Sequence, residues 1–189
     1  MTMGNLKDYY HTNSFFSLLK DTKKYRELYC SKEAVWSFGL SIVFASIIMF
    51  LYDSMPNDRM REILQNVLFM LIPGLIGLLG FLITGLAMTA SIIELKVIQE
   101  IDKSGKIRSL VEILFSFYFE AAMIGVNIVS FLLLYFMVYC PFKMSFVTLI
   151  VLALAYTYFF FFTIIYAVTL LGTCLNFFLV NVFYSERSE

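Results

Sequence analysis

The sequence predicts an all-α membrane protein with four transmembrane helices, and three observations carry that prediction. Hydrophobic residues make up 60% of the chain and charged residues only 15%, whereas a soluble domain is about half apolar and a quarter charged. Four apolar runs reach or exceed the length of a membrane span. Charge and turn-forming residues gather between those runs. The 189 residues leave room for one bundle and no separate soluble domain.

Residues 1–33 are predicted to form a cytosolic or interfacial arm. Asn13 or Ser14 would cap a short helix there. Phe15, Leu18, Leu19, Tyr25, Leu28 and Tyr29 fall mostly on one side, and Lys20, Lys23, Lys24 and Arg26 fall elsewhere. That pattern fits a basic amphipathic helix on a membrane surface, or a helix packed under its own bundle by the same face. No cleavable signal peptide is predicted, because this stretch carries charge throughout.

The bundle is expected over 34–184, followed by a cytosolic tail, 185–189. The first span, 34–51, has Trp36 and Tyr52 near its two ends, where aromatic residues suit the interfaces. A short turn, DSMPNDRMR, leads to the second span, 63–93. Pro73–Gly74 lies inside that span and predicts a kink or local unwinding. Beyond it Gly77, Gly80, Thr84, Ala87 and Ser91 recur at three-four spacing. Such a column lets another helix approach closely. A charged hinge follows, turning at Lys103-Ser104-Gly105-Lys106, with Lys106 and Arg108 close together. The turn lacks the strand and full glycine pattern of a phosphate-binding loop.

The third span, 110–138, is apolar but not uniformly so. Glu112, Ser116, Glu120, Asn127 and Ser130 fall on one helical face. An unpaired polar group in hydrocarbon costs several kcal/mol, on the order of a lost hydrogen bond or more. That face must meet protein or water. After a tight turn at Pro141 the fourth run would reach about 60 Å as one straight helix. It is read as a span over 145–168, a bend near Gly172, and a cytosolic extension to 184. Thr163, Tyr166, Thr169, Thr173 and Asn176 form its polar stripe.

Orientation follows from the positive residues. Counted from the sequence, one side carries eleven Lys and Arg and the other three. The positive-inside rule then places both termini in the cytosol. The zero net charge argues against nucleic-acid binding. Three separated cysteines and a single histidine, His11, offer no metal or redox spacing. No cofactor is expected. No His, Ser or Asp constellation lies in the spans, so no enzyme is predicted.

The run from Gly77 to Leu134, GLLGFLITGLAMTASIIELKVIQEIDKSGKIRSLVEILFSFYFEAAMIGVNIVSFLLL, resembles small bacterial four-span proteins of phage-defence loci. In size and predicted topology the chain is similar to the membrane subunit of the Kiwa system. The resemblance covers about the middle third of the chain. It implies an oligomer in the bacterial inner membrane that senses an envelope disturbance and works with a cytosolic effector.

Two functions follow as expectations. The first is a non-enzymatic homo-oligomeric sensor or anchor. Its copies associate through the small-residue column, and its cytosolic elements, including Lys103, Lys106 and Arg108, dock a soluble effector. The second is a homo-oligomeric pore lined by Glu120, Asn127 and Ser130. The nearly all-apolar stretch from Phe131 to Val138 favours the sensor, since it would leave a closed, dewetted gate.

Overall fold

A computed structural model describes residues 15–92, 107–139 and 146–185. Among these, all regular structure is helical. Helix α1 spans Phe15–Thr22. Lys23 then takes a left-handed conformation, φ 53°, which breaks the helix direction. A 3-10 turn, Lys24–Arg26, and a short helix α2, Glu27–Cys30, complete the arm. Four long helices follow: α3 (Lys32–Ser54), α4 (Asn57–Ile92), α5 (Ile107–Tyr139) and α6 (Phe146–Ser185). Each is long and apolar enough to cross a membrane.

Local chemistry sets the helix starts. Ser31 is extended, and its hydroxyl accepts from the Ala34 amide at 3.0 Å, as an N-cap serine does. Helix α3 therefore begins at Lys32, about half a turn before the apolar run. Helix α4 begins six residues earlier than the predicted 63, because the Pro56 carbonyl accepts from the amides of Arg59 and Met60, both at 3.1 Å. Hydropathy marks the length in lipid, not the length of helix, so the polar first turn was assigned to the connector. Helix α4 runs without a break through Pro73, so the predicted unwinding does not occur. Helix α6 is likewise uninterrupted through Gly172 to Ser185. At about 1.5 Å per residue it is much longer than a hydrocarbon core of roughly 30 Å.

The arrangement is not a symmetric ring. Helix α6 is central. It packs against α3 on one side and against α4 and α5 on the other, while α4 and α5 pack closely together. Helix α3 barely touches α4 and has no substantial contact with α5. One core lies at the end that carries the arm, built from Leu82, Phe115, Phe117, Phe119, Phe162, Tyr166, Leu170 and Cys174. The second, toward the other end, joins Leu68, Leu75, Ile124 and Phe131, with Tyr156 stacked on Phe131 at 5.9 Å. Large apolar side chains on the outer faces, such as Trp36, Phe50, Phe69, Met70 and Leu133, are exposed. That is the expected surface of a bundle whose solvent is lipid.

The arm is tucked into the bundle. Phe15, Leu18, Leu19 and Leu28 pack on the arm-end core, and Phe15 meets Tyr118 edge-on at 5.1 Å. Tyr25 and Tyr29, expected on the same face, are exposed. The turn at Lys23 rotates them away.

Helix α4 uses a different face from the one its small residues marked. Leu68, Leu75, Leu82 and Thr89 are buried at intervals of seven, a packing seam at heptad spacing. Gly85 lies on this side, where an added Cβ would meet Cys174 Sγ and Phe117 at 3.7 Å. Gly77, Gly80, Thr84, Ala87 and Ser91 are all exposed. A Cβ at Gly77 or Gly80 would meet nothing within 4 Å. Within one chain the small-residue column is therefore not the packing face.

Candidate functional site

The polar face of α5 turns inward. Ser116 and Asn127 are buried, and Glu120 is 0% exposed. Glu112 and Ser130, at the two ends of the stripe, are half-buried. The Ser116 hydroxyl donates to the Glu112 carbonyl at 2.7 Å, the usual way a serine in an apolar helix satisfies itself.

Asn127 joins α5 to α6. Its amide donates to Thr163 Oγ1 at 2.5 Å and to the Phe159 carbonyl at 3.2 Å. The Thr163 hydroxyl in turn donates to the same Phe159 carbonyl at 2.8 Å. Asn127 is thus held by the fourth helix of its own chain and does not reach Glu120.

Neither carboxyl oxygen of Glu120 has a hydrogen-bond partner. Among the described residues these are the only buried side-chain oxygens or nitrogens in that condition. Buried polar groups in proteins are nearly always paired, so this one is the exceptional feature of the bundle.

One turn toward the arm, a polar line begins. Tyr166 of α6 is buried beside Phe119 and carries its hydroxyl toward the arm. That hydroxyl donates to Glu27 Oε2 of the arm at 2.7 Å. Glu27 Oε1 is held by Lys24 at the same distance, 2.7 Å. The Tyr158 hydroxyl donates to the Leu28 carbonyl. Tyr158 precedes Tyr166 by about two helical turns, so the arm runs along α6 within its apolar segment. Thr169 donates to Glu33 Oε1 at 3.4 Å. Lys24, Glu27, Glu33, Ser116, Tyr166 and Thr169 border an open cavity of about 280 Å³ between the arm, α3, α5 and α6.

Sequence reading located the two polar stripes but not this junction. The signal was present in Glu27 and Glu33, two of the four acidic residues in an arm that also carries six Lys and Arg. Spacing alone does not say that an arm carboxylate meets a tyrosine 139 positions away. A second undetected contact lies between α4 and α6, where Thr89 Oγ1 and Cys174 Sγ are 3.2 Å apart. Lys103 and Lys106 fall outside the described residues, as does Cys140, and the structure describes only the backbone of Arg108. Among the described residues no group of three or more His, Cys, Asp or Glu is placed to hold a metal ion.

The chain is thus an all-α, multi-pass membrane protein with one buried, unpartnered carboxyl in α5 and, separately, a hydrogen bond from the core of α6 to its N-terminal arm. Comparison with protein-family models, curated proteins and solved structures finds no match to it.

Proposed function

We propose that this chain is a non-enzymatic sensor or anchor of the bacterial inner membrane, in which the N-terminal arm reports the state of the bundle to a cytosolic effector. The observation that carries this reading is the bond from Tyr166, in the core of α6, to Glu27 of the arm. A change in the packing of α5 and α6 would act on that bond and so on the arm's docking. The exposed Tyr25 and Tyr29 give a released or docked arm two different outward surfaces.

The distribution of eleven against three positive residues supports cytosolic termini and puts Lys103, Lys106 and Arg108 on the same side as the arm. The exposed small-residue column of α4 supports association of copies, since it is the kind of surface on which membrane helices pair. The resemblance to four-span proteins of phage-defence loci supports antiviral defence as the setting.

A homo-oligomeric pore lined by Glu120, Asn127 and Ser130 has less support. Glu120 and Asn127 are enclosed within one chain, so a shared axis would require the α5–α6 contact to open. The experiment for the sensor reading is photo-crosslinking in cells from Tyr29, with Tyr166→Phe as the comparison. One soluble protein captured in wild type and altered in yield by Tyr166→Phe is the expected result. Capture that ignores the variant, or no soluble partner at all, contradicts it.

A further inference from the structure

We propose that Glu120 is an intramembrane proton-binding site, filled from the arm end of the bundle through the polar cavity that Ser116 and Tyr166 border. The proposal needs no effector and stands apart from the sensor reading.

Glu120 is fully enclosed and neither oxygen is hydrogen-bonded. A carboxylate in that setting must be neutralised, because an isolated buried charge is far too costly to keep. Cationic side chains do not do it. Lys24 of the arm lines the cavity but is already committed to Glu27. Besides Lys24, the ionisable groups that line the cavity are Glu27 of the arm, Glu33 of α3 and Tyr166 of α6; Glu112 lies about two turns from Glu120 along α5, Cys174 of α6 belongs to the same core, and Lys20, Lys23, Arg26 and Lys32 are exposed. The charged residues of helix α4, Asp58, Arg59, Arg61 and Glu62, lie in its first two turns, and residues 63–92 contain no charged residue, tyrosine or cysteine. Of the charged groups that line the cavity, Glu27 and Glu33 are acidic and Lys24 is basic.

A metal ion is a poor fit. Hard cations need about six oxygen ligands, and the local donors are one carboxyl and two hydroxyls already directed elsewhere. A proton needs only one oxygen. It also has a route. Ser116 lies one turn, about 6 Å, from Glu120 and lines the cavity of about 280 Å³ with Tyr166, Glu27 and Glu33. The two arm-end carboxylates would gather protons at its mouth. The stretch of α5 beyond Asn127 holds only Ser130 and Tyr135 as hydroxyl-bearing residues up to Val138, so α5 is less polar toward the other end.

The test uses the full-length wild-type protein in liposomes, treated with dicyclohexylcarbodiimide and mapped by mass spectrometry. This apolar reagent takes the proton of a carboxylic acid onto nitrogen as the carboxyl oxygen adds to its central carbon. The resulting O-acylisourea rearranges to a stable N-acylurea. The expected result is modification at Glu120 that falls as pH rises and does not respond to sodium or potassium at constant ionic strength. Protection by either ion at fixed pH would overturn the proton in favour of a metal cation. No modification at any pH, with a carboxylic acid infrared band that fails to shift in D2O, would overturn the access route. Glu120→Asp supplies a second check, because its infrared band must move while the fold is kept. An unmoved band assigns the signal to another carboxyl and overturns the proposal.

Discussion

The hydroxyl of Tyr166 donates to the Glu27 carboxylate at 2.7 Å, so the N-terminal arm is bonded to the interior of α6 across 139 residues of sequence. A hydrogen bond to a charged acceptor contributes about 1.5–3 kcal/mol. Tyr166→Phe keeps the aromatic packing on Phe119 and Phe162 and removes only this bond. The undocked arm should become roughly tenfold more populated, since about 1.4 kcal/mol is one decade. Trypsin cleavage after Lys23 and Lys24 in intact membranes should speed up in proportion. An unchanged cleavage rate would mean that the arm is held by its apolar residues alone.

The enclosure of Glu120 without a hydrogen-bond partner bears on the stability of the bundle. Replacing an unpartnered buried polar group with an apolar one of similar size is neutral or favourable. Glu120→Leu should therefore raise resistance to SDS-induced unfolding by about 1–3 kcal/mol while abolishing whatever the carboxyl does. A loss of stability would show that a partner for Glu120 exists in the membrane.

Asn127 and Thr163 form a side-chain to side-chain hydrogen bond between the α5 polar stripe and α6. Interhelical polar contacts in lipid average about 0.6 kcal/mol and reach about 1.7. Both Asn127→Ala and Thr163→Val should destabilise within that range. The double variant should cost less than the sum of the two, which a double-mutant cycle in SDS will show. Additive losses would mean that the two side chains do not act together.

The two faces of α4 should respond in opposite ways. Leu75 is 2% exposed, and Leu75→Ala should cost about 2–4 kcal/mol through the cavity it leaves. At Gly80 nothing lies within 4 Å of an added Cβ, so Gly80→Leu should leave the monomer fold intact. If copies pair through this column, the same change should abolish self-association in a crosslinking assay. Association unaffected by Gly80→Leu would place the contact between copies elsewhere.

Much of this organisation is legible in the sequence. The four helices follow from apolar length, and the inward turn of Ser116, Glu120 and Asn127 follows from their shared face. The inner face of α4 is not legible. Both of its sides are apolar, and in lipid the hydrophobic contrast that normally marks the core is absent. The glycine column drew attention because close approach is its usual use, yet the leucines at positions 68, 75 and 82 make the contact. The long connection from Glu27 to Tyr166 could not be seen either, because the break at Lys23 is made by a residue that rarely adopts a left-handed φ. The same break turns Tyr25 and Tyr29 outward.

Enclosure of the α5 polar face by α6 of the same chain is what separates this bundle from a ring of copies around a shared pore. A cysteine-free variant carrying Asn127→Cys and Thr163→Cys, treated in native membranes with a short bismaleimide, tests it most directly. A crosslink within single chains, running as a monomer on denaturing gels, is the expected result. Crosslinks that instead form dimers and higher ladders would show that Asn127 faces a neighbouring copy, and would contradict the architecture described.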